Sequence, residues 1–428
     1  MTKSLRLGIA GLGTVGAGVI KIVQQNAALL SARSGVSVEV TAVCAQSRTK
    51  NRGVDLSNYA WEDDPVTLAK RDDVDVYVEL MGGEDGPAKA SVEAALGAGK
   101  HVVTANKALL AHHGHALATA AESAGVSLRF EAAVAGGIPV IKALTEGLAG
   151  NKITRIMGVM NGTCNYILTR MEHSGLPYDQ IFEEANKLGF LEADPNLDVG
   201  GIDAAHKLVL LSSIAYGTQV DFGAAQLQGI GEISIDDITA AKDMGYRIKL
   251  LGLSQMTDHG LEQTMQPCLV PYNSPLGQLE GGTNMVVIEG DNVGQIVLRG
   301  AGAGEGPTAS AVMGDVMDIA RGINIPTFGI PAAQLTSAPA AQSTTPSAYY
   351  IRTSLRDAPG VLANIARALG DASISIDRLR QQNHEGDSAP VLIVTHPTEP
   401  ANVDKALKAI ATNKDTTSDP IALKIVEV

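Results

Sequence analysis

Four carboxylates crowd around one strong base in a single short stretch. In LGFLEADPNLDVGGIDAAHKL, residues 188–208, Glu192, Asp194, Asp198 and Asp203 surround Lys207. Asp203 and Lys207 stand four residues apart, on one face of a helix. Glu192, Asp194 and Asp198 come earlier, in a segment broken by Pro195 and the Gly200-Gly201 pair, which predicts a loop that can fold over the helix start. A solvated acidic loop with an ordinary i,i+4 pair would be worth only a few tenths of a kcal/mol. The helix speaks for chemistry instead. IDAAHKLVLLSSIAYG is nearly all apolar after Lys207, so it is expected to be buried, and a buried lysine needs a partner or a purpose. Acids around one desolvated ammonium could grip the amino group of an amino acid while Lys207 serves a reacting oxygen.

A second constellation opens the chain. LRLGIAGLGTVGAGVI places Gly11, Gly13 and Gly16 as G-x-G-x-x-G between a predicted strand and a predicted helix. The first glycine allows the tight turn, the second lets a pyrophosphate approach the backbone, and the third lets helix and strand pack closely. Dinucleotide binding is the reading, with a merely tight turn as its alternative. Where an acid would hold the ribose hydroxyls of NAD, TAVCAQSRTKNR offers Gln46 followed by Arg48, Lys50 and Arg52. Those bases suit the 2′-phosphate of NADP, and they suit a solvated loop nearly as well.

Two later strands, in VYVELMGG and HVVTANKALL, end at Glu79 and at Thr104, Asn106 and Lys107. Ligands of doubly wound sheets gather at such strand ends, so Lys107 is a candidate to face coenzyme or substrate. EAAVAGGIPVI sets Glu131 before an irregular Gly-Gly turn; carbonyls with one carboxylate can take a hard cation, and a structural turn uses the same residues. LRGAGAGEGPTASAV is another glycine-rich strand-to-helix passage, which either returns to the cofactor or connects domains tightly. AHHGH lacks an i,i+4 histidine pair and has no Cys or acid beside it in sequence, so it carries no metal reading.

These groups need elements to hold them. Short β-branched runs alternating with longer helices through residue 150 predict βαβ units, a Rossmann-type doubly wound parallel sheet. Residues 151–300 mix longer helices with strands and read as an α+β substrate-binding and dimerisation domain, with 300–330 returning to the first. Residues 331–347, rich in Ala, Ser, Thr and Pro and free of charge, read as a linker. Residues 348–428 follow the order βαββαβ, a ferredoxin-like unit of a size that folds alone.

Composition narrows the classes. The 428 residues carry 33 Lys and Arg against 46 Asp and Glu, a formal charge of -13, with no block of like charges. Nucleic acid and anionic membrane are poor partners for such a surface, and a small soluble substrate is a better one. No run approaches the roughly 20 apolar residues of a membrane span and no signal-like segment opens the chain, which predicts the cytoplasm. Cys44, Cys164 and Cys268 are scattered and are expected to be reduced.

GLGTVGAGV, TANKALL, EAAVAGGIPVI, NGTCNYIL, LGFLEADPNLDVGGIDAAHKL, GYRIKLL and GAGEGPTASAVMGD, in that order, resemble homoserine dehydrogenase, and the last 80 or so residues resemble an ACT domain. No aspartate-kinase half precedes the match, so the resemblance is to the monofunctional type. It implies reversible NAD(P)-dependent reduction of L-aspartate 4-semialdehyde to L-homoserine, a step towards threonine, methionine and isoleucine. It further implies NAD(P) contacts from Gly11, Leu12, Gly13, Thr14, Val15, Gly16 and Lys107, joined by Gly304 of the late glycine-rich loop. Arg48, Lys50 and Thr104 complete the expected coenzyme set. Glu192, Asp198, Asp203 and Lys207, with Gly162 and Thr163, would form the homoserine site, Lys207 donating the proton and Lys107 helping to place the reactants. Glu131 with the carbonyls of Val134, Gly136 and Ile138 would hold sodium. Asp357, Pro359, Gly360, Val361 and Leu362 would bind a threonine-type effector, in a homodimer or homotetramer. The competing reading is of another class: a non-catalytic sensor of NAD(P) and an amino acid, which would have no need of Lys207 and its carboxylates.

Overall fold

The computed structural model describes residues 4–191, 194–381 and 386–428. Near-continuous apolar runs form the first sheet because both of its faces are covered. Its strands are β1 (Ser4–Ala10), β2 (Ser37–Cys44), β3 (Ala60–Glu62), β4 (Val76–Glu79), β5 (His101–Thr104) and β6 (Leu128–Arg129). All are parallel, in the order β3-β2-β1-β4-β5-β6. This is the dinucleotide-binding arrangement, with its switch point between β1 and β4. The return segment completes the layer. The helix Glu305–Ala320 lies on the helix Thr14–Ser34, where a Cβ on Gly18 would come within 3.0 Å of Ala309 Cβ, and Lys21 Nζ meets Glu305 Oε1 at 2.6 Å.

The second sheet is built from β7 (Ile153–Val159), β8 (Gln226–Leu227), β9 (Tyr246–Thr257), β10 (Gly260–Pro271), β11 (Thr283–Gly290) and β12 (Gly294–Ala301). One face buries the helices Gly162–Ser174 and Ile202–Tyr216. The last unit adds β13 (Tyr349–Arg356), β14 (Ile376–Gln381), β15 (Ser388–Thr395) and β16 (Thr416–Ile425), in the order β16-β13-β15-β14. Helices Val361–Asp371 and Pro400–Ala411 cover it, which is the expected βαββαβ order.

Two features depart from the sequence reading. The terminal unit does not stand apart: β16 pairs with β10, Cys268 opposite Lys424 and Leu269 opposite Ile425, so both units share one ten-stranded sheet. The segment read as a linker is fastened as well. Leu261 N–H donates to Pro339 O at 2.9 Å, Ala341 N–H to Leu261 O at 3.1 Å, and Gln255 Nε2 to Thr345 Oγ1 at 3.2 Å. Its Ala, Ser and Thr are small enough to lie against the edge of β10, and composition alone does not separate that from a free tether. No helix among the described residues is long and apolar enough to cross a membrane. The three cysteines are buried and unpaired.

A buried acid locks the two units together. Asp237, fully buried on the helix Ile235–Asp243, accepts from Tyr350 Oη at 2.8 Å and Arg352 Nε at 2.7 Å, and its other oxygen closes a capping box with Ser234. Asp237→Ala is expected to lower stability by about 2 kcal/mol in urea denaturation, because Tyr350 and the largely buried Arg352 lose their acceptor. Removal of the exposed neighbour Asp236 should leave the midpoint unchanged.

Candidate active site

The glycine-rich turn is shaped for an anion. Gly11 adopts φ +97°, where a Cβ would lie 2.4 Å from Leu80 O, and a Cβ on Gly16 would lie 2.1 Å from Gly11 O. At Gly13 a Cβ would meet nothing within 4 Å, so the backbone there faces open space. Gly13 caps the helix Thr14–Ser34 without any side-chain hydrogen bond, which leaves the helix N–H groups for a ligand. The three glycines thus play the three parts that a bound pyrophosphate requires.

Across the cleft stand the two lysines. Lys107 begins the helix Lys107–Ser123 directly after β5, and Asn106 caps that helix through Leu109 N–H while its Nδ2 donates to Gly83 O at 2.7 Å. Lys207 lies on the helix Ile202–Tyr216, at 8% exposure. Asp203 joins them, with Oδ1 3.0 Å from Lys107 Nζ and Oδ2 2.8 Å from Lys207 Nζ. Burial pushes the Asp203 carboxyl up, but the two ammoniums more than offset it and hold the group well below the usual carboxylate range. Lys207 Nζ also donates to Met160 O at 2.7 Å. Two of its three N–H bonds are therefore engaged among the described residues.

Asn161, which sequence reasoning passed over, organises the acids. Its Nδ2 donates to Asp198 Oδ1 at 2.8 Å and to Asp203 Oδ2 at 3.0 Å, while its Oδ1 caps the helix Gly162–Ser174 through Cys164 N–H. An asparagine before a helix is a legible N-cap; its second duty depends on a contact 42 residues away. A cavity of about 550 Å³ joins all these parts, with Val15, Lys107, Thr163, Asp203, Lys207 and Gly304 on its walls. That volume lies in the range of small-molecule sites. Gly162, Asp198 and Gly136 also line it.

Several expected residues sit differently. The Asp194–Val199 stretch is a one-turn helix rather than a loop, because Asp194 caps Asn196 N–H at 3.0 Å and Pro195 starts the turn. Asp194 thus serves the helix, while Asp198 is buried in the site. Glu192 lies outside the described residues. Thr104 is fully buried; its hydroxyl donates to Glu79 Oε2 at 2.6 Å and accepts from Asn106 N–H, so both of these partners are protein groups. Arg48 is held by Asp63 at 2.8 Å, whereas Arg52 reaches back to the glycine turn and donates to Leu12 O at 2.9 Å. Both Glu131 carboxylate oxygens accept backbone N–H groups, from Ile141 and Lys142 at 2.9 Å each, and burial beside Asp315 pushes this acid up to about 7. The histidines of AHHGH do find acids in space, His112 with Glu84 and His113 with Asp85, each at 3.0 Å.

Comparison with known proteins accounts for this assembly. Family models match residues 11–131 as the NAD-binding domain of homoserine dehydrogenase, 139–317 as homoserine dehydrogenase, and 349–412 as an ACT domain. The homoserine dehydrogenase of Neisseria gonorrhoeae is 42% identical over 418 residues, covering 95% of each chain. The chain belongs to the homoserine dehydrogenase family. That of Pseudomonas aeruginosa is 39% identical over the whole of both chains. The crystal structure of a homoserine dehydrogenase from Thiobacillus denitrificans superposes with a TM-score of 0.94 at 37% identity, over all of both chains. A hyperthermophilic archaeal homoserine dehydrogenase in complex with NADPH aligns with a TM-score of 0.63 at 26% identity, over 74% of this chain and 97% of its own. As a homoserine dehydrogenase the chain is an NAD(P)-dependent oxidoreductase, and the sensor reading falls with that membership.

Proposed function

We propose that the chain interconverts L-aspartate 4-semialdehyde and L-homoserine with Lys207 as the group that handles the proton. One observation carries this reading: a buried ammonium on the cleft wall, fixed by Asp203 and Met160 O, with its third N–H unengaged among the described residues. NAD(P)H, which the turn of Gly11, Gly13 and Gly16 would hold, would supply the hydride. As negative charge grows on the aldehyde oxygen, Lys207 stabilises it and delivers a proton; in the oxidative direction it accepts one. Lys107, on the nucleotide side of the same carboxylate, helps to set coenzyme and substrate against each other. Asp203 already serves two lysines and Asn161, so its part is to orient them. Asp198, on the cleft wall, and Glu192 would grip the substrate ammonium, and Gly162 and Thr163 shape the wall.

The coenzyme favoured is NADP. Gln46 offers no carboxylate to a ribose, Arg52 reaches the glycine turn at Leu12 O, Lys50 lies two residues before it in sequence, and an archaeal relative carries NADPH. Arg48 would join only by leaving Asp63. A monovalent cation, sodium by resemblance, would sit in the turn after Glu131, held through the carbonyls of Val134, Gly136 and Ile138. Positive φ at Ala135 (55°) and Gly136 (53°) gives that turn its irregular path, and the Glu131 carboxylate braces it from the backbone side. In the ACT domain, Asp357, Pro359 and Gly360 lie in the turn before the helix Val361–Asp371, with Gly360 at φ +86° as its cap, and Val361 and Leu362 open that helix. L-threonine there would make the enzyme feedback-regulated, in a homo-oligomer whose protomers meet through the second domain.

The deciding experiment follows homoserine oxidation at 340 nm with NADP and NAD in turn, with and without L-threonine. Lys207→Ala is expected to lower kcat by about 10²–10⁴-fold with coenzyme affinity unchanged. Near-normal turnover would remove Lys207 from its role, and threonine without effect would remove the effector assignment. For the cation, melting in sodium chloride should exceed melting in choline chloride at equal ionic strength; identical curves would dismiss the site.

A further inference from the structure

The second domain holds another buried lysine, which the reaction does not use directly. Lys249, on β9, is 2% exposed. Its ammonium donates to Asn165 Oδ1 at 2.9 Å and to Leu279 O. Both acceptors are neutral. Burial, with Arg247 adding to it, holds the ammonium down at about 8, while Glu172 and Glu280 pull the other way. Burying a charge among neutral acceptors is a poor way to stabilise a core, where an apolar side chain of similar volume usually serves as well or better.

What the lysine holds is one irregular segment, residues 272–282, between β10 and β11. Asn165 Nδ2 donates to Gly281 O at 2.7 Å, and Arg247, two residues before Lys249 on β9, donates to Gly277 O at 3.0 Å. Backbone carbonyls at 277, 279 and 281 are thus all gripped from the same side. The segment then enters the site. A Cβ on Gly162 would lie 2.6 Å from Gly282 O, and both glycines line the cleft. Two residues on, Asn284 Nδ2 donates at 3.0 Å to Met160 O, the same carbonyl that accepts Lys207 Nζ at 2.7 Å.

We propose that Lys249 is a positioning residue for the reaction: by anchoring Leu279 and Asn165 it fixes the Gly282 wall against Gly162 and sets the Asn284 amide that shares Met160 O with Lys207. A neutral amine keeps N–H donors, so the anchor survives loss of the proton. The proposal rests on reading this cleft as the homoserine site, and the two claims fail separately. If Lys207 were not the proton donor, Lys207→Ala would keep its turnover while a Lys249 variant still lost substrate affinity.

The test compares Lys249→Met, Lys249→Gln and Asn165→Leu in the full-length enzyme. Lys249→Met is expected to raise KM for homoserine about tenfold and lower kcat severalfold, with the dissociation constant for NADP, read by fluorescence titration, unchanged. Lys249→Gln, which keeps an N–H donor, should recover part of the loss. Asn165→Leu reaches the same segment from the helix Gly162–Ser174 and should reproduce the pattern, which keeps the test decisive if Lys249→Met does not fold. A folded Lys249→Met or Asn165→Leu enzyme with wild-type KM and kcat would overturn the proposal. So would equal weakening of NADP and homoserine binding, the mark of a general loss of structure.

Discussion

One carboxylate, Asp203, ties together two cations that the chain brings from different domains. Lys107 arrives from the end of β5 in the parallel sheet, and Lys207 from a helix packed on the second sheet. At its buried position the Lys207 ammonium alone would carry a desolvation penalty of several kcal/mol, whereas Lys107 is only partly buried. The shared ionised acid offsets that penalty and bridges the two ammoniums. The Asp203 carboxyl lies far below its usual range in consequence, so the triad keeps its negative member throughout the neutral range.

The rest of the architecture can be understood as support for that bridge. The return helix Glu305–Ala320 closes the nucleotide domain and delivers Gly304 to the cleft, so the chain crosses between the domains more than once. Asn161 links the triad to Asp198 and to the start of its own helix. From the far side, the ACT unit continues the sheet through β16 and clamps the Asp237 helix. That helix packs on β9 and on the helix that begins at Gly162. A ligand bound to a unit attached in this way would be felt at the site only if it preferred one arrangement of the sheet over another.

How far this was legible in the sequence follows the range of each interaction. Gly11, Gly13 and Gly16 were readable because their roles are local, set by the turn they occupy. Burial of Lys207 was readable because the apolar run after it could not be a surface helix. The βαββαβ order of the terminal unit was readable from short-range alternation. Asp194, by contrast, reads as one more acid of the loop before Lys207, although an Asp-Pro pair is a local helix-start signal that sets it apart. Asn161, Asn284 and Lys249 act across dozens of residues and left no periodic mark. The engagement of Arg48 by Asp63 and the pairing of β16 with β10 are likewise nonlocal, and a charge-poor stretch such as 331–347 looks the same whether it is pinned to a strand or free.

The central claim is geometric: the Lys207 ammonium stands at the reacting oxygen. A crystal structure of the ternary complex with NADP and L-homoserine tests it most directly. The account requires Lys207 Nζ within hydrogen-bond reach of the homoserine hydroxyl, at about 3 Å, with Asp203 still bridging to Lys107. A hydroxyl that points elsewhere, with Lys207 separated from it and another donor in its place, would contradict the account.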